Sequence, residues 1–299
     1  MEAAVRSSQR SPIPSPDVDA SLTDGEFALF RALVADQTGI ALGPHRRVLL
    51  QVRLGKRLRA LGLRTFSEYH RLLTERDPLG EEMTRLVNAI TTNRTEFFRE
   101  GHHFAYLAKT WVPAVRARSA ETEDRSVRIW SAGCSSGEEP YTIAMTLRDA
   151  LPSPSDLDIR ILASDIDTEV LARAAAGIYP LEAIGRVPKV SVPRHFLRGV
   201  GSQEGFVQVR PEISAMVTVR RINLLERPWP IRTRFDVVFC RNALIYFGRA
   251  TQQGVLERLV ECLKDDGLLI LGHSESVHGI ARLRHLGRTI YQRTKENRQ

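Results

Sequence analysis

The 299-residue chain is 42% apolar and 26% charged, an ordinary balance for a globular protein, and is long enough for one large domain and a smaller one. No apolar run approaches the ~20 residues that span a bilayer, and the first residues lack an apolar signal core, so direct membrane insertion and export are not expected and the chain reads as cytoplasmic. Lys and Arg outnumber Asp and Glu by 43 to 35, a net charge of +8, and three cysteines (Cys134, Cys240, Cys262), an odd count without metal-ligand spacing, suit a reducing cytoplasm.

Residues 1–20, rich in Ser and Pro, read as a disordered tail. Residues 21–88 read as all helix: Phe27, Phe30, Leu33 and Val34 form one apolar stripe, and Leu50, Leu54, Leu58 and Leu61 another. From Gly39 to Ser67 there is no Asp or Glu, but there are Arg46, Arg47, Arg53, Lys56, Arg57, Arg59 and Arg64. Arg46, Arg53 and Arg57 share a helical face, with Lys56 beside it, opposite the leucines. That face is either simply solvated or a surface for an acidic helix, a nucleic acid or a membrane. The absence of interleaved aromatics counts against RNA.

The second domain is expected to begin near residue 89. In the stretch 91–100, Thr92 or Asn93 can cap a helix running into residues 102–109, which leaves Arg99 without a role. A helix over 102–115 precedes an acidic, solvated loop at 121–125. His102 and His103 diverge on such a helix, and no metal site is read.

A β-rich run at Val127, Ile129 and Trp130 enters the turn Gly133-Cys134-Ser135-Ser136-Gly137, and an apolar helix leaves it over 141–147. Strand, glycine turn and helix together build a nucleotide-sized crevice. The spacing Gly133-x-x-x-Gly137 lacks the middle glycine that lets backbone reach a pyrophosphate. Glu138 and Glu139 would repel a phosphate at the helix start. A ligand with a cationic pole and no phosphate fits better, and S-adenosylmethionine carries both a sulfonium and an ammonium. The two acids could instead only stabilise the first helical turn.

A second strand over 159–164 ends in Asp165-Ile166-Asp167, where an acid can bond ribose hydroxyls. Between Tyr179 and Arg220 the alternation breaks at Pro180, Pro188 and Pro193. The runs 206–209 and 217–219 then read as a small antiparallel insertion, after which the sheet resumes with Asn223. A strand over 235–240 delivers Arg241, Asn242 and, one turn later, Tyr246. A helix over 252–263 and a turn at 264–267 lead to a fourth strand at 268–271. Alternating strands and helices imply an α/β fold with a parallel, doubly wound sheet whose ligands bind outside the carboxyl ends of the strands. Each acid or amide named could instead be a cap or turn former, but three recur at successive strand ends. Cys134 and Cys240, also at strand ends, are expected to be inert packing residues.

The stretches 91–100, 131–141, 163–168 and 239–247, with Gly272-His273-Ser274-Glu275, resemble in order and spacing the chemotaxis receptor methyltransferase family, CheR, from about Leu22 to Tyr291. The resemblance implies a Rossmann-like methyltransferase domain over 89–299 with a β insertion at about 179–220, and a receptor-recognising helical domain over 21–88. It implies transfer of methyl from S-adenosylmethionine to glutamate side chains of chemoreceptors for sensory adaptation, leaving a methyl ester and S-adenosylhomocysteine. By motif position, the cofactor contacts are Asn93, Thr95, Arg99, Glu139, Asp165, Asn223, Leu224, Arg241 and Asn242, and Tyr246 lies near the transferred methyl. Arg99, Arg241 and Tyr246 form the catalytic set, and no metal is implied. The cytoplasmic helical domain of chemoreceptors is the expected partner of the basic face, through Arg46, Arg53, Lys56, Arg57 and Arg59. Gly199-Val200-Gly201 is either an ordinary hairpin turn with positive φ or, as in family members carrying Gly-x-Gly here, the mark of an insertion that docks a receptor C-terminal peptide as an added strand. A monomer is expected.

A glutamate acceptor is ionised at neutral pH, its reference pKa being about 4.3, so the reaction needs no general base. Positioning and water exclusion carry the catalysis. Arg99 would grip the methionine carboxylate, Glu139 the ammonium and Asp165 the ribose, while Arg241 and Tyr246 shape the acceptor side. Two rivals are an RNA methyltransferase of the same cofactor class and a non-catalytic receptor-binding sensor. Amide-directed nucleic-acid methyltransferases place a proline pair after the fourth-strand amide, and residues 242–246 have none. The intact motif set argues against the sensor.

Overall fold

The computed structural model describes residues 21–151 and 157–295; the expected disordered tail at 1–20 lies outside them. The chain divides into a helical unit, running through Leu33 and again over Gly43–Ile90, and a larger unit of Val34–Leu42 and Thr91–Gln299.

The helices α1 (Asp24–Thr38), α2 (Arg47–Leu61), α3 (Phe66–Glu75) and α4 (Glu81–Ile90) come first. Leu50, Leu54 and Leu58 of α2 are buried, as their four-residue spacing requires. Phe30 is fully buried, stacked on Tyr69 (ring centroids 6.0 Å apart) and edge-on to Phe66 (6.4 Å). Thr65 and Glu68 cap α3 reciprocally, and α2 stops at Gly62, whose φ of 69° carries the chain out of the helix.

Two cations of the expected docking face are engaged inside this unit. Arg57 holds both oxygens of the buried Glu82 carboxylate, with Nη2 at 2.5 Å, and the Tyr69 hydroxyl donates to the same carboxylate at 2.9 Å. Arg53 Nη1 donates to the Ala89 carbonyl at 2.9 Å. Lys56 and Arg59 remain exposed. Arg57 is therefore first a structural cation, because a buried carboxylate must be paired.

In the larger unit the strands are β1 (Ser126–Ala132), β2 (Asp158–Asp165), β3 (Ile178–Pro180), β4 (Phe196–Arg198), β5 (Phe206–Val209), β6 (Val217–Arg221), β7 (Phe235–Cys240), β8 (Leu263–Leu271), β9 (Leu283–Gly287) and β10 (Ile290–Arg293). Seven form one sheet in the order β6-β2-β1-β7-β8-β10-β9, parallel from β6 to β8 and antiparallel at β10 and β9. Successive side chains sort onto its two faces. Ile129, Val237, Phe239 and Ile270 join one core cluster, and Trp130, Val238, Cys240 and Leu271 join the other. The helices α5 (His102–Tyr106), α6 (Val112–Thr122) and α7 (Glu138–Ala150) supply the first cluster. The remaining helices are α8 (Thr168–Ala176), α9 (Val192–His195), α10 (Pro211–Ser214) and α11 (Arg249–Glu261), the last of which covers the second cluster.

Several sequence expectations need correction. Val217–Arg221 is not part of the insertion: it pairs parallel with β2 as the edge strand of the main sheet, and the small antiparallel sheet is β3-β5-β4. Residues 264–267 belong to β8, which absorbs a register shift against β7 instead of turning. The expected loop at 121–125 begins inside α6, and the helix expected over 102–115 widens into a π-type turn at Leu107–Trp111, just before Pro113, which has no N–H to give.

The Arg57–Glu82 pair yields a stability prediction. Burial raises the Glu82 pKa, but the bonds from Arg57 and Tyr69 outweigh it and hold the carboxyl below its ordinary 4.5. Its contribution is therefore complete above pH 4.5 and is lost as pH falls through the depressed value. Arg57→Ala strands the carboxylate and is expected to cost about 3 kcal/mol of unfolding free energy at pH 7. The difference from the parent protein should shrink in acid, read by urea unfolding at both pH values.

Candidate active site

The strand order reverses between β1 and β7, and the carboxyl ends of β1, β2 and β7 open there, the place where such sheets form a crevice. β1 runs into the turn at 133–137. Gly133 has a φ of 81°, and a Cβ on it would sit 2.9 Å from that of Ala243, so only glycine lets the turn lie against the chain leaving β7. The Gly133 and Cys134 N–H groups donate to the Ser164 carbonyl (2.8 and 2.9 Å), fixing the turn to the end of β2.

Asp165 ends β2. Its carboxylate accepts the Ser135 N–H (2.8 Å) and the Asp167 N–H (3.1 Å), and burial raises its pKa against these bonds. Asp167 caps α8 through Oδ1, taking the Glu169 and Val170 N–H groups. Its Oδ2 takes the Thr91 hydroxyl (2.6 Å) and Asn93 Nδ2 (2.5 Å). Ser135 Oγ then donates to the Asn93 carbonyl at 3.2 Å. Thr92 and Asn93 therefore start no helix: residues 91–96 run irregularly, and α5 begins only at His102.

Glu139, in the first turn of α7, accepts the Ser131 hydroxyl at 2.7 Å and lies 3.4 Å from Arg241 Nε. Burial pushes its pKa up, opposed by the charge of Arg241. Arg241 is itself buried. Its Nη2 donates to the Arg99 carbonyl (2.6 Å) and its guanidinium lies over the Phe104 ring, while Nε and Nη1 have no hydrogen-bond partner. The Arg99 guanidinium is turned to the Arg94 carbonyl (2.9 Å).

Asn242 has a φ of 58°, and the loop it opens is held by one carboxylate. Glu275 accepts the N–H groups of Asn242 (2.8 Å), Leu244 (2.9 Å) and Gly272 (2.8 Å). The Gly-His-Ser-Glu stretch showed in the sequence, but with no role for this glutamate. Phe98, Glu100 and Ser135 also have positive φ (56°, 56° and 50°), so backbone conformations that cost energy concentrate around the crevice.

Asn223 and Leu224 follow β6. The Ile222 N–H donates to the Asp165 carbonyl (3.1 Å), which sets them beside the end of β2, and the Asn223 amide is taken up by the Gln37 carbonyl and the Leu225 N–H. Thr95 and Tyr246 are half-buried, and the Tyr246 carbonyl accepts the Ala41 N–H. His102 and His103 do not diverge: their ring centroids are 4.1 Å apart at the start of α5. Cys134 and Cys240 are buried, and burial pushes both thiols up.

Residues 93–291 match the family described as CheR methyltransferase, SAM binding domain, and residues 25–91 match CheR methyltransferase, all-alpha domain. The chain is 41% identical over 298 residues to a chemotaxis protein methyltransferase of Salmonella typhimurium, covering 99% of each chain. It is 43% identical over 276 residues to one from Klebsiella aerogenes (92% and 91% of the two chains) and 44% over 282 residues to chemotaxis protein methyltransferase 2 of Pseudomonas aeruginosa (93% and 97%). With both family domains matched in sequence and the crevice formed where the sheet reverses, the chain belongs to the CheR methyltransferase family and is an S-adenosylmethionine-dependent methyltransferase.

Proposed function

We propose that this enzyme methylates glutamate side chains of chemoreceptors in the cytoplasm, forming methyl esters. The observation that carries the reading is the buried pair of Glu139 and Arg241: a carboxylate short of solvation faces a guanidinium with two N–H directions unfilled. A cation suits the first and a carboxylate the second, so the residues fit S-adenosylmethionine at one end and an anionic acceptor at the other. When bound, the cofactor supplies a methyl carbon made electrophilic by its sulfonium. Glu139 holds the ammonium, Asp165 accepts from the ribose, and Asn93, Thr95, Arg99, Asn223, Leu224 and Asn242 complete the contacts. Arg241 orients the acceptor carboxylate, with Tyr246 beside it. An acceptor already ionised needs no base, which matches a crevice of anchors with buried, protonated thiols and no activated nucleophile.

The receptor face is the exposed side of α2. Val48, Val52, Lys56 and Arg59 are exposed along it, the two valines at 72% and 54%, which offers apolar contact beside positive charge to an acidic helix. Arg46 belongs to the short turn before α2, and Arg53 and Arg57 support the face from within the unit. In the insertion β4 is an edge strand, with Leu197 and Val200 exposed, and it is the proposed dock for a receptor C-terminal peptide. Gly201 has the positive φ (58°), whereas Gly199 is required by space: a Cβ there would meet the Gln203 carbonyl at 2.0 Å.

The deciding assay incubates the enzyme and tritiated cofactor with receptor membranes or with RNA. Base-labile label is expected on receptor alone, and label on RNA alone overturns the assignment. Lys56→Glu with Arg59→Glu is expected to slow receptor labelling at low salt with cofactor affinity unchanged, and salt should reproduce the effect in the parent protein.

Glu139 and Asp165 both have raised pKa values, so both regain protons on acidification earlier than ordinary carboxyls. Cofactor affinity is expected to fall as pH drops, beginning above pH 4.5, the ordinary Glu value. Glu139→Gln should weaken binding about 10- to 100-fold, the loss of a charged hydrogen bond. It should also remove one proton from the pH slope, read by calorimetry across pH.

Gly201→Val has open space but the wrong φ, and it should weaken capture of a receptor C-terminal peptide at least tenfold while cofactor affinity stays unchanged. Equal peptide binding by both proteins removes the insertion from recognition.

A further inference from the structure

Beside the crevice, the side chains of Glu100, His102 and His103 face one another. Glu100 Oε2 and His103 Nδ1 lie 3.7 Å apart, both buried and both without a hydrogen-bond partner. His102 adds a ring nitrogen, and the three ligand atoms all lie within 4.8 Å of one another.

The proton inventory leaves this gap empty. His103 Nε2 is 2.9 Å from the Arg288 carbonyl and 3.2 Å from the Thr289 hydroxyl. A carbonyl accepts only, so the ring proton sits on Nε2, and Nδ1 presents a lone pair. On the other side, Glu100 Oε1 lies 3.1 Å from His273 Nδ1, while its Oε2 has no hydrogen-bond partner. The Nδ1 lone pair and Glu100 Oε2 thus meet across 3.7 Å, neither with a hydrogen-bond partner, and the complement of such a gap is a cation.

We propose that Glu100, His102 and His103 bind a divalent transition-metal ion of the zinc class, with water as the fourth ligand. Two imidazoles and one carboxylate favour zinc, nickel or copper over magnesium or calcium. Bonds of about 2.1 Å in a tetrahedron place ligand atoms about 3.4 Å apart, close to the present separation of Glu100 and His103. The Nε2–H bond to Arg288 is the outer contact that orients a metal-bound histidine. The charge of Arg241, felt by both Glu100 and His103, opposes the ion electrostatically and weakens its binding. The neighbouring Arg99 carbonyl receives Arg241 Nη2–H, so the ion adjoins the methyl-transfer crevice without being part of its chemistry.

The test uses the full chain and metal alone. Zinc competition against a chromophoric chelator should show one equivalent bound, and cobalt should give the visible absorption of a four-coordinate site. Magnesium should not compete. His102→Ala and Glu100→Gln should each weaken zinc at least tenfold, with thermal unfolding of the metal-free proteins confirming that both fold. The buried His103 is left intact, and His102→Ala, at a half-exposed position, decides the matter should Glu100→Gln fail to fold. Absence of a bound equivalent, or zinc affinity unchanged in His102→Ala, overturns the proposal. These readouts need no methyl transfer, so they stand or fall separately from the receptor assignment.

Discussion

One buried carboxylate organises the crevice. Asp167 accepts two backbone N–H groups at the start of α8 with one oxygen, and with the other the Thr91 hydroxyl and the Asn93 amide. Four donors remove the penalty of burying the charge and tie a segment 74 residues upstream to the end of β2. With Asp167 so occupied, Asp165 is left to face the crevice, and Ser135 links the glycine turn to Asp165 through its amide and to the Asn93 carbonyl through its hydroxyl. The positive-φ residues around the site are held by this kind of external bonding, which is how a strained backbone persists.

A second carboxylate does the same at the other wall. Glu275 gathers three N–H groups from the chain leaving β7 and from its own turn, and burial raises its pKa against those bonds. The crevice is thus framed by acids whose charges are consumed by backbone donors, while Arg241 keeps Nε and Nη1 without a partner and burial raises the pKa of Glu139 beside it. The division separates groups that shape the site from groups available to a ligand.

What the sequence made legible follows the range of the interactions involved. The apolar runs of β1, β2, β7 and β8 stand out because helices cover both faces of a parallel sheet, and the acids and amides at their ends were found for the same reason. β6 was misplaced because it is an edge strand with half-exposed residues, and nothing in its pattern names a partner 56 residues away at Val217 and Ile161. Asn93 read as a cap because capping is local, whereas its side chain donates to Asp167, far along the chain. Arg57 read as a surface cation because Glu82 lies 25 residues on. Backbone period alone makes His102 and His103 diverge, whereas their side-chain rotamers bring the rings to 4.1 Å.

The thiols of Cys134 and Cys240 carry a consequence for chemical labelling. Both are buried and sit at the mouths of β1 and β7, where burial and neighbouring carboxylates keep them protonated. Alkylating reagents attack the thiolate, so in the closed fold neither cysteine reacts. Modification at either position therefore counts transient openings of the crevice wall, and any ligand that closes the wall lengthens the reaction time by the factor through which it suppresses opening. Cys262, half-buried behind α11, supplies an internal clock for the rest of the domain. The ratio of the two rates reports local breathing at the crevice against motion elsewhere, without any added probe.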